Sequence, residues 1–136
     1  MTRILLVEDN SSDAMLLQEA LRAAEVTFPV DHVTDGEKAM AHLRDAETPP
    51  GLMLLDLNLP RMDGREVLAA VKGDPSLRQI PVIILTTSSA PSDVSLAYER
   101  GANAFVRKPL GLDRLIDAAA SIRDFWLRAA TLPSDN

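Results

Sequence analysis

Four short, unbroken apolar runs, Ile4 to Val7, Leu52 to Leu55, Val82 to Leu85 and Ala104 to Val106, each stop just before a residue able to handle phosphate or a cation. Those residues are Asp9, Asp56, Thr86 and Lys108. Runs this short and this uniformly apolar are the pattern of parallel strands buried on both faces. In an open parallel sheet, ligand groups gather beyond the carboxyl ends of the strands, so residues far apart in sequence converge on one pocket. The chain is thereby restricted to an α/β fold with its chemistry at one end of the sheet.

The segments between the runs read as helices, with one further strand. Asn10 or Ser11 suits the cap of a helix whose apolar positions Ala14, Leu17, Leu21 and Ala24 recur at helical spacing. A strand near Val30 to Val33 follows Pro29, and Asp35 caps a helix carrying Ala39, Met40 and Leu43 that ends before Pro49-Pro50-Gly51. After Asp56, the turn Asn58-Leu59-Pro60 leads to a helix from about Asp63, where Glu66 stands in a capping-box position and Val67, Leu68 and Val71 form the inner face. Pro91 suits the first turn of the next helix and Gly101 its end. The last helix, about Leu112 to about Arg128, carries Leu115, Ile116, Ala119 and Ile122 on one stripe. Strand and helix alternate five times, which predicts a doubly wound, five-stranded parallel sheet with right-handed crossovers and helices on both faces.

Length and composition bound the function. A chain of 136 residues is ample for one hydrophobic core and short for two, so residues 1–136 are expected to form a single domain with no output domain after it. Cys is absent, which excludes disulfides and thiolate metal sites. The net charge is -6 and the 14 Lys and Arg residues are scattered, which argues against nucleic-acid binding. No apolar stretch is long enough to span a bilayer, and a cytoplasmic, soluble protein is expected. Its output must then pass by contact with another protein.

The strand-end residues define a chemistry. Two carboxylates about 4 Å apart repel by about 4 kcal/mol at the dielectric suited to protein surfaces, so clustering Glu8, Asp9 and Asp56 calls for a cation. Lys108 supplies one positive charge, and the remaining deficit matches a hard divalent ion with oxygen ligands. Mg²⁺ is the expected ion, with Mn²⁺ as a substitute. Asp56 is the candidate nucleophile, forming an acyl phosphate, while Lys108 and the Thr86 hydroxyl stabilise phosphoryl oxygens. Each element alone has a bland explanation. Glu8-Asp9-Asn10 resembles ordinary helix capping, Asp56-Leu57-Asn58 a plain turn, and a lone Lys108 a solvated side chain. The signal lies in the combination, each at a strand end. His32 and His42 fall on the second strand and second helix and are expected at the surface.

These residues closely resemble the receiver domain of two-component response regulators. The likeness is carried by Ile4-Leu5-Leu6-Val7-Glu8-Asp9-Asn10, by Leu54 to Gly64, by Pro81 to Thr86 and by Gly101 to Pro109. It implies the flavodoxin-like strand order 2-1-3-4-5. It further implies that Asp56 accepts a phosphoryl group from a sensor histidine kinase. Glu8, Asp9, Asp56 and the Asn58 backbone carbonyl would hold Mg²⁺, and Lys108 would precede a cis Pro109. Thr86 and Phe105 would form the conformational switch, and the only catalysis would be self-phosphorylation and self-dephosphorylation.

Thr87 and the carboxyl-terminal segment from Ile122 to Pro133 are similar to stand-alone regulators paired with phytochrome kinases. The tail from about residue 123 adds Phe125, Trp126, Leu127 and Leu132, more apolar surface than one helix face buries on its own sheet, and predicts a homodimer interface. Three other functions fit these residues less well. A haloacid-dehalogenase-type phosphatase would place Asp-x-Asp after the first strand and carry a cap domain. A flavin carrier would need a phosphate-cradling loop where Glu8 and Asp9 repel phosphate. A degenerate receiver acting as a scaffold would not need the complete acid set.

Overall fold

The computed structural model describes residues 2–88 and 90–133. Strands β1 (Ile4–Val7), β2 (Val30–Val33), β3 (Leu52–Leu55), β4 (Val82–Thr86) and β5 (Ala104–Arg107) alternate with helices α1 (Ser11–Ala23), α2 (Gly36–Asp45), α3 (Gly64–Gly73), α4 (Pro91–Glu99) and α5 (Leu112–Ile122). All pairings are parallel and the order is β2-β1-β3-β4-β5. Among the described residues no helix is long and apolar enough to cross a membrane.

Side-chain alternation divides the core in two. Leu5, Val7, Met53, Leu55, Val82 and Ile84 pack with α2 and α3, whereas Ile4, Leu6, Leu52, Leu54, Ile83 and Leu85 pack with α1 and α5. The central strands β1, β3 and β4 are buried on both faces. Each such Leu, Ile or Val contributes about 1.5–3 kcal/mol of transfer free energy. The register is thus held by the helices on both sides, and every strand ends at the same edge.

Asn10 caps α1 through a bond from the Asp13 N–H, and Asp35 caps α2 through one from Lys38. At α3 the Asp63 carboxylate takes the N–H of Arg65, while the Glu66 N–H turns to the Asp63 backbone carbonyl. The expected side-chain bond from the Glu66 N–H to the Asp63 carboxylate is therefore replaced by a tighter first turn. Pro91 opens α4, and Gly101, at φ +99°, follows its end.

The last helix has the expected extent but not uniform winding. After Ile122 it continues as a π-helical segment, Arg123–Ala129, closed by a bond from the Ala130 N–H to the Phe125 carbonyl. This bonding rotates successive side chains less than an α-helix does. Trp126 and Leu127 consequently stay packed on the α1–α5 core, while Phe125 is 57% exposed and meets the Trp126 ring edge-on at 5.1 Å. Leu132 is buried within the chain, at 3% exposure.

One expectation is corrected. No cis peptide bond occurs among the described residues, so Lys108–Pro109 is trans. Trans is the form an X–Pro bond favours intrinsically, by about 0.5–1 kcal/mol.

Candidate functional site

Strand parity decides which side chains meet. Glu8, Asp56 and Lys108 follow the strand residues that face α1 and α5, whereas Thr86 follows those that face α2 and α3. One carboxylate oxygen from each of Glu8, Asp9 and Asp56 lies within 4.8 Å of the others. Glu8 and Asp56 are buried and Asp9 is exposed, so the cluster opens to solvent on one side.

The Lys108 Nζ pairs closely with Glu8 Oε1, stands 3.5 Å from Asp56 Oδ2 and 3.6 Å from Asp13 Oδ2. Asp13, in the first turn of α1, is a contact that the sequence pattern did not reveal. The remaining oxygens are held by the backbone. Glu8 Oε2 accepts from the Asn10 N–H at 3.1 Å, and Asp56 Oδ1 from the Asn58 N–H at 3.2 Å.

Burial pushes the Glu8 carboxyl above its ordinary range, the Lys108 bond offsets this only in part, and the Asp56 charge adds to it. Burial alone would lower Lys108, but the Glu8 bond and the charges of Asp56, Glu8 and Asp13 win and hold it above the ordinary lysine value. Glu8 is thus raised chiefly by its burial, whereas Lys108 is raised by the acids around it, three carboxylates to one ammonium. An all-oxygen set of three carboxylates with surplus negative charge fits a hard divalent cation.

The loop after Asp56 is built by close approach. The Gly64 N–H bonds the Leu57 carbonyl at 2.9 Å, and a Cβ on Gly64 would stand 2.1 Å from the Asp56 carbonyl oxygen. Only glycine lets α3 begin there. On the opposite side of the loop, a Cβ on Gly36 would meet the Met62 carbonyl at 2.0 Å, so α2 and this loop are pressed together.

Thr86 is fully buried, and its Oγ1 accepts from the Ser88 N–H at 3.5 Å. Phe105 sits opposite Ile84 in the β4–β5 register and packs half-buried on the α2–α3 core, the face that Thr86 also occupies. Its N–H, on the sheet edge, donates to the Tyr98 hydroxyl at 3.1 Å. Ser88 donates to Asp93, which also accepts from Arg65 at 2.9 Å, so the β4–α4 loop is tied to α4 and α3. His32 is not a free surface residue: its Nε2 lies 2.8 Å from the Glu8 carbonyl oxygen.

A family model for the response regulator receiver domain matches residues 4–120. The chain is 43% identical over 136 residues to the response regulator Rcp1 of Synechocystis sp., covering 96% of this chain and 92% of that protein. It is 40% identical over 128 residues to a probable methanogenesis regulatory protein, FilR2, of Methanothrix harundinacea, covering 91% and 83%. Among solved structures it superposes on the phosphorylated cyanobacterial phytochrome response regulator RcpA with a TM-score of 0.91 at 45% identity, covering 97% and 98% of the two chains. For the Mn²⁺-bound form of Rcp1 the TM-score is 0.89 at 42% identity, with 98% and 99% covered. The chain belongs to the response regulator receiver-domain family, with the five-stranded parallel fold of its structural neighbours.

Proposed function

We propose that this chain is a receiver that accepts a phosphoryl group on Asp56 from a sensor histidine kinase of the phytochrome type. The observation that carries the reading is the convergence of Glu8, Asp9 and Asp56 within 4.8 Å, with Lys108 3.5 Å from the Asp56 oxygen that the backbone leaves free. Support for the kinase class comes from the likeness to RcpA, a phytochrome response regulator, and to RPA3017, described in red light signalling of R. palustris.

The Asp56 Oδ2 attacks phosphorus of the phosphohistidine; a P–O bond forms as the P–N bond breaks, and the released imidazole takes its proton from water. A divalent cation held by Glu8, Asp9, Asp56 and the Asn58 carbonyl, Mg²⁺ by preference and Mn²⁺ as a substitute, would supply charge compensation at the phosphoryl oxygens. Lys108 reaches a second oxygen by a short swing from Glu8, and the Thr86 hydroxyl donates to a third. As Thr86 is drawn toward the phosphoryl group, Phe105 follows on the same face, with no hydroxyl of its own to anchor it. Hydrolysis by water at phosphorus returns the carboxylate and resets the site. The exposed apolar residues Leu16 and Leu110 line a cavity of about 190 Å³ beside Lys108, a surface for the kinase to grip. The carboxyl-terminal segment pairs two copies of the chain.

Incubation with acetyl phosphate and Mg²⁺, followed by intact-mass measurement, tests the reading. The native chain gains one phosphoryl group, and Asp56→Asn and a chelated sample gain none. Equal masses in all three samples reject the phospho-acceptor role.

A further inference from the structure

Resting on that reading of the cation site, we infer that His32 is a positioning residue for it. Its ring N–H fixes the Glu8 carbonyl, and with it the bend that aims Glu8 and Asp9 at Asp56. The ladders from β1 to β2 and to β3 both end at Val7, whose carbonyl is taken by the Asp56 N–H at 3.1 Å. The Glu8 N–H still reaches Val33, at 3.1 Å, but the chain then turns to the Asn10 cap of α1. The Glu8 carbonyl therefore lies past the last rung, and the His32 side chain supplies its donor.

Register explains the reach. His32 stands opposite Leu6, so its side chain shares a sheet face with Leu6 and with Glu8, two residues on. A carbonyl oxygen only accepts, so Nε2 carries the hydrogen whatever the charge on the ring. The Glu8 N–H and the Glu8 carbonyl, on either side of its Cα, are thus both held by β2, through the Val33 carbonyl and the His32 ring. Outer partners that orient ligating residues in this way govern metal affinity.

Calorimetric titration with Mg²⁺ tests this on the native chain, His32→Phe, His32→Gln and His32→Asn, with metal-free thermal unfolding alongside. Phenylalanine keeps a ring on the strand without the donor, glutamine restores a donor at similar reach, and asparagine carries one that falls short. The Phe and Asn variants are expected to raise the dissociation constant roughly tenfold while Gln stays within about threefold of native. If Phe does not fold without metal, the Gln–Asn contrast decides. The inference is overturned if folded Phe and Asn variants bind Mg²⁺ like the native chain, or if Gln loses as much as they do. A native chain that takes up no Mg²⁺ overturns the cation-site reading itself, whereas native binding with indifferent variants overturns only the role of His32.

Discussion

Lys108 holds together carboxylates that repel one another, and its removal exposes how much of the chain's stability the pocket costs. Glu8 is 3% exposed, so without the lysine it keeps a buried charge that only a proton or a cation relieves. Breaking a fully enclosed ion pair costs about 3–5 kcal/mol, and this pocket is open on the Asp9 side, so Lys108→Met should cost about 2 kcal/mol at neutral pH in chelator. The pH dependence has a definite sign. The folded-state value of Glu8 lies above its unfolded one, so the folded chain binds that proton more tightly. The resulting stability is complete below the unfolded carboxylate value of about 4.3 and is lost as pH rises through the folded one. Urea unfolding of Lys108→Met should therefore show a deficit that shrinks on acidification and shrinks on adding Mg²⁺. A deficit independent of both pH and cation would mean that Lys108 acts through packing alone.

At the level of elements, the helix that follows Asp56 depends on the absence of one carbon. Gly64→Ala places a Cβ 2.1 Å from the Asp56 carbonyl and 2.6 Å from the Leu57 Cα, backbone atoms that cannot yield without moving the acceptor. The change should cost at least about 2 kcal/mol, against the roughly 1 kcal/mol that alanine ordinarily gains over glycine in a helix. Gly73, at the far end of the same helix, meets nothing within 4 Å, so Gly73→Ala should instead stabilise by about 0.5–1 kcal/mol. Thermal unfolding of the two variants, with phosphoryl uptake measured on each, checks the contrast; equal shifts would refute the crowding argument. The sequence announced these elements well where one signal dominated. The unbroken apolar runs gave the strands, and Asn10, Asp35, Asp63 and Pro91 marked the helix starts. It failed where geometry depends on contacts across the fold. The π-winding after Ile122, which keeps Trp126 and Leu127 on the core, is signalled by no local pattern. Likewise, a histidine on an edge strand reads as a surface residue until the register sets it beneath the Glu8 carbonyl.

For the whole molecule, the fate of the carboxyl-terminal apolar residues separates folding from association. Of the four proposed for the interface, Leu132 is buried in its own chain, Trp126 and Leu127 pack on the α1–α5 core, and only Phe125 stands largely clear. A stable interface buries about 1,200–2,000 Å² in total, and an aromatic side chain supplies about 150–250 Å² of it, so Phe125 can be an anchor but not the whole contact. On the proposed pairing of two copies, the tail would carry two different loads. Leu132→Ala should cost about 2–5 kcal/mol in urea unfolding, as a buried leucine does, and leave the dimer constant of the folded chain unchanged. Phe125→Ala should leave monomer stability nearly unchanged and weaken dimerisation about tenfold or more, as loss of a central aromatic anchor does. Sedimentation across a concentration series measures the second effect directly. A native chain that stays monomeric at micromolar concentration would confine the tail's role to folding, which the burial of Leu132 and the packing of Trp126 and Leu127 already serve, and a Phe125→Ala variant that dimerises as well as native would remove Phe125 as the anchor.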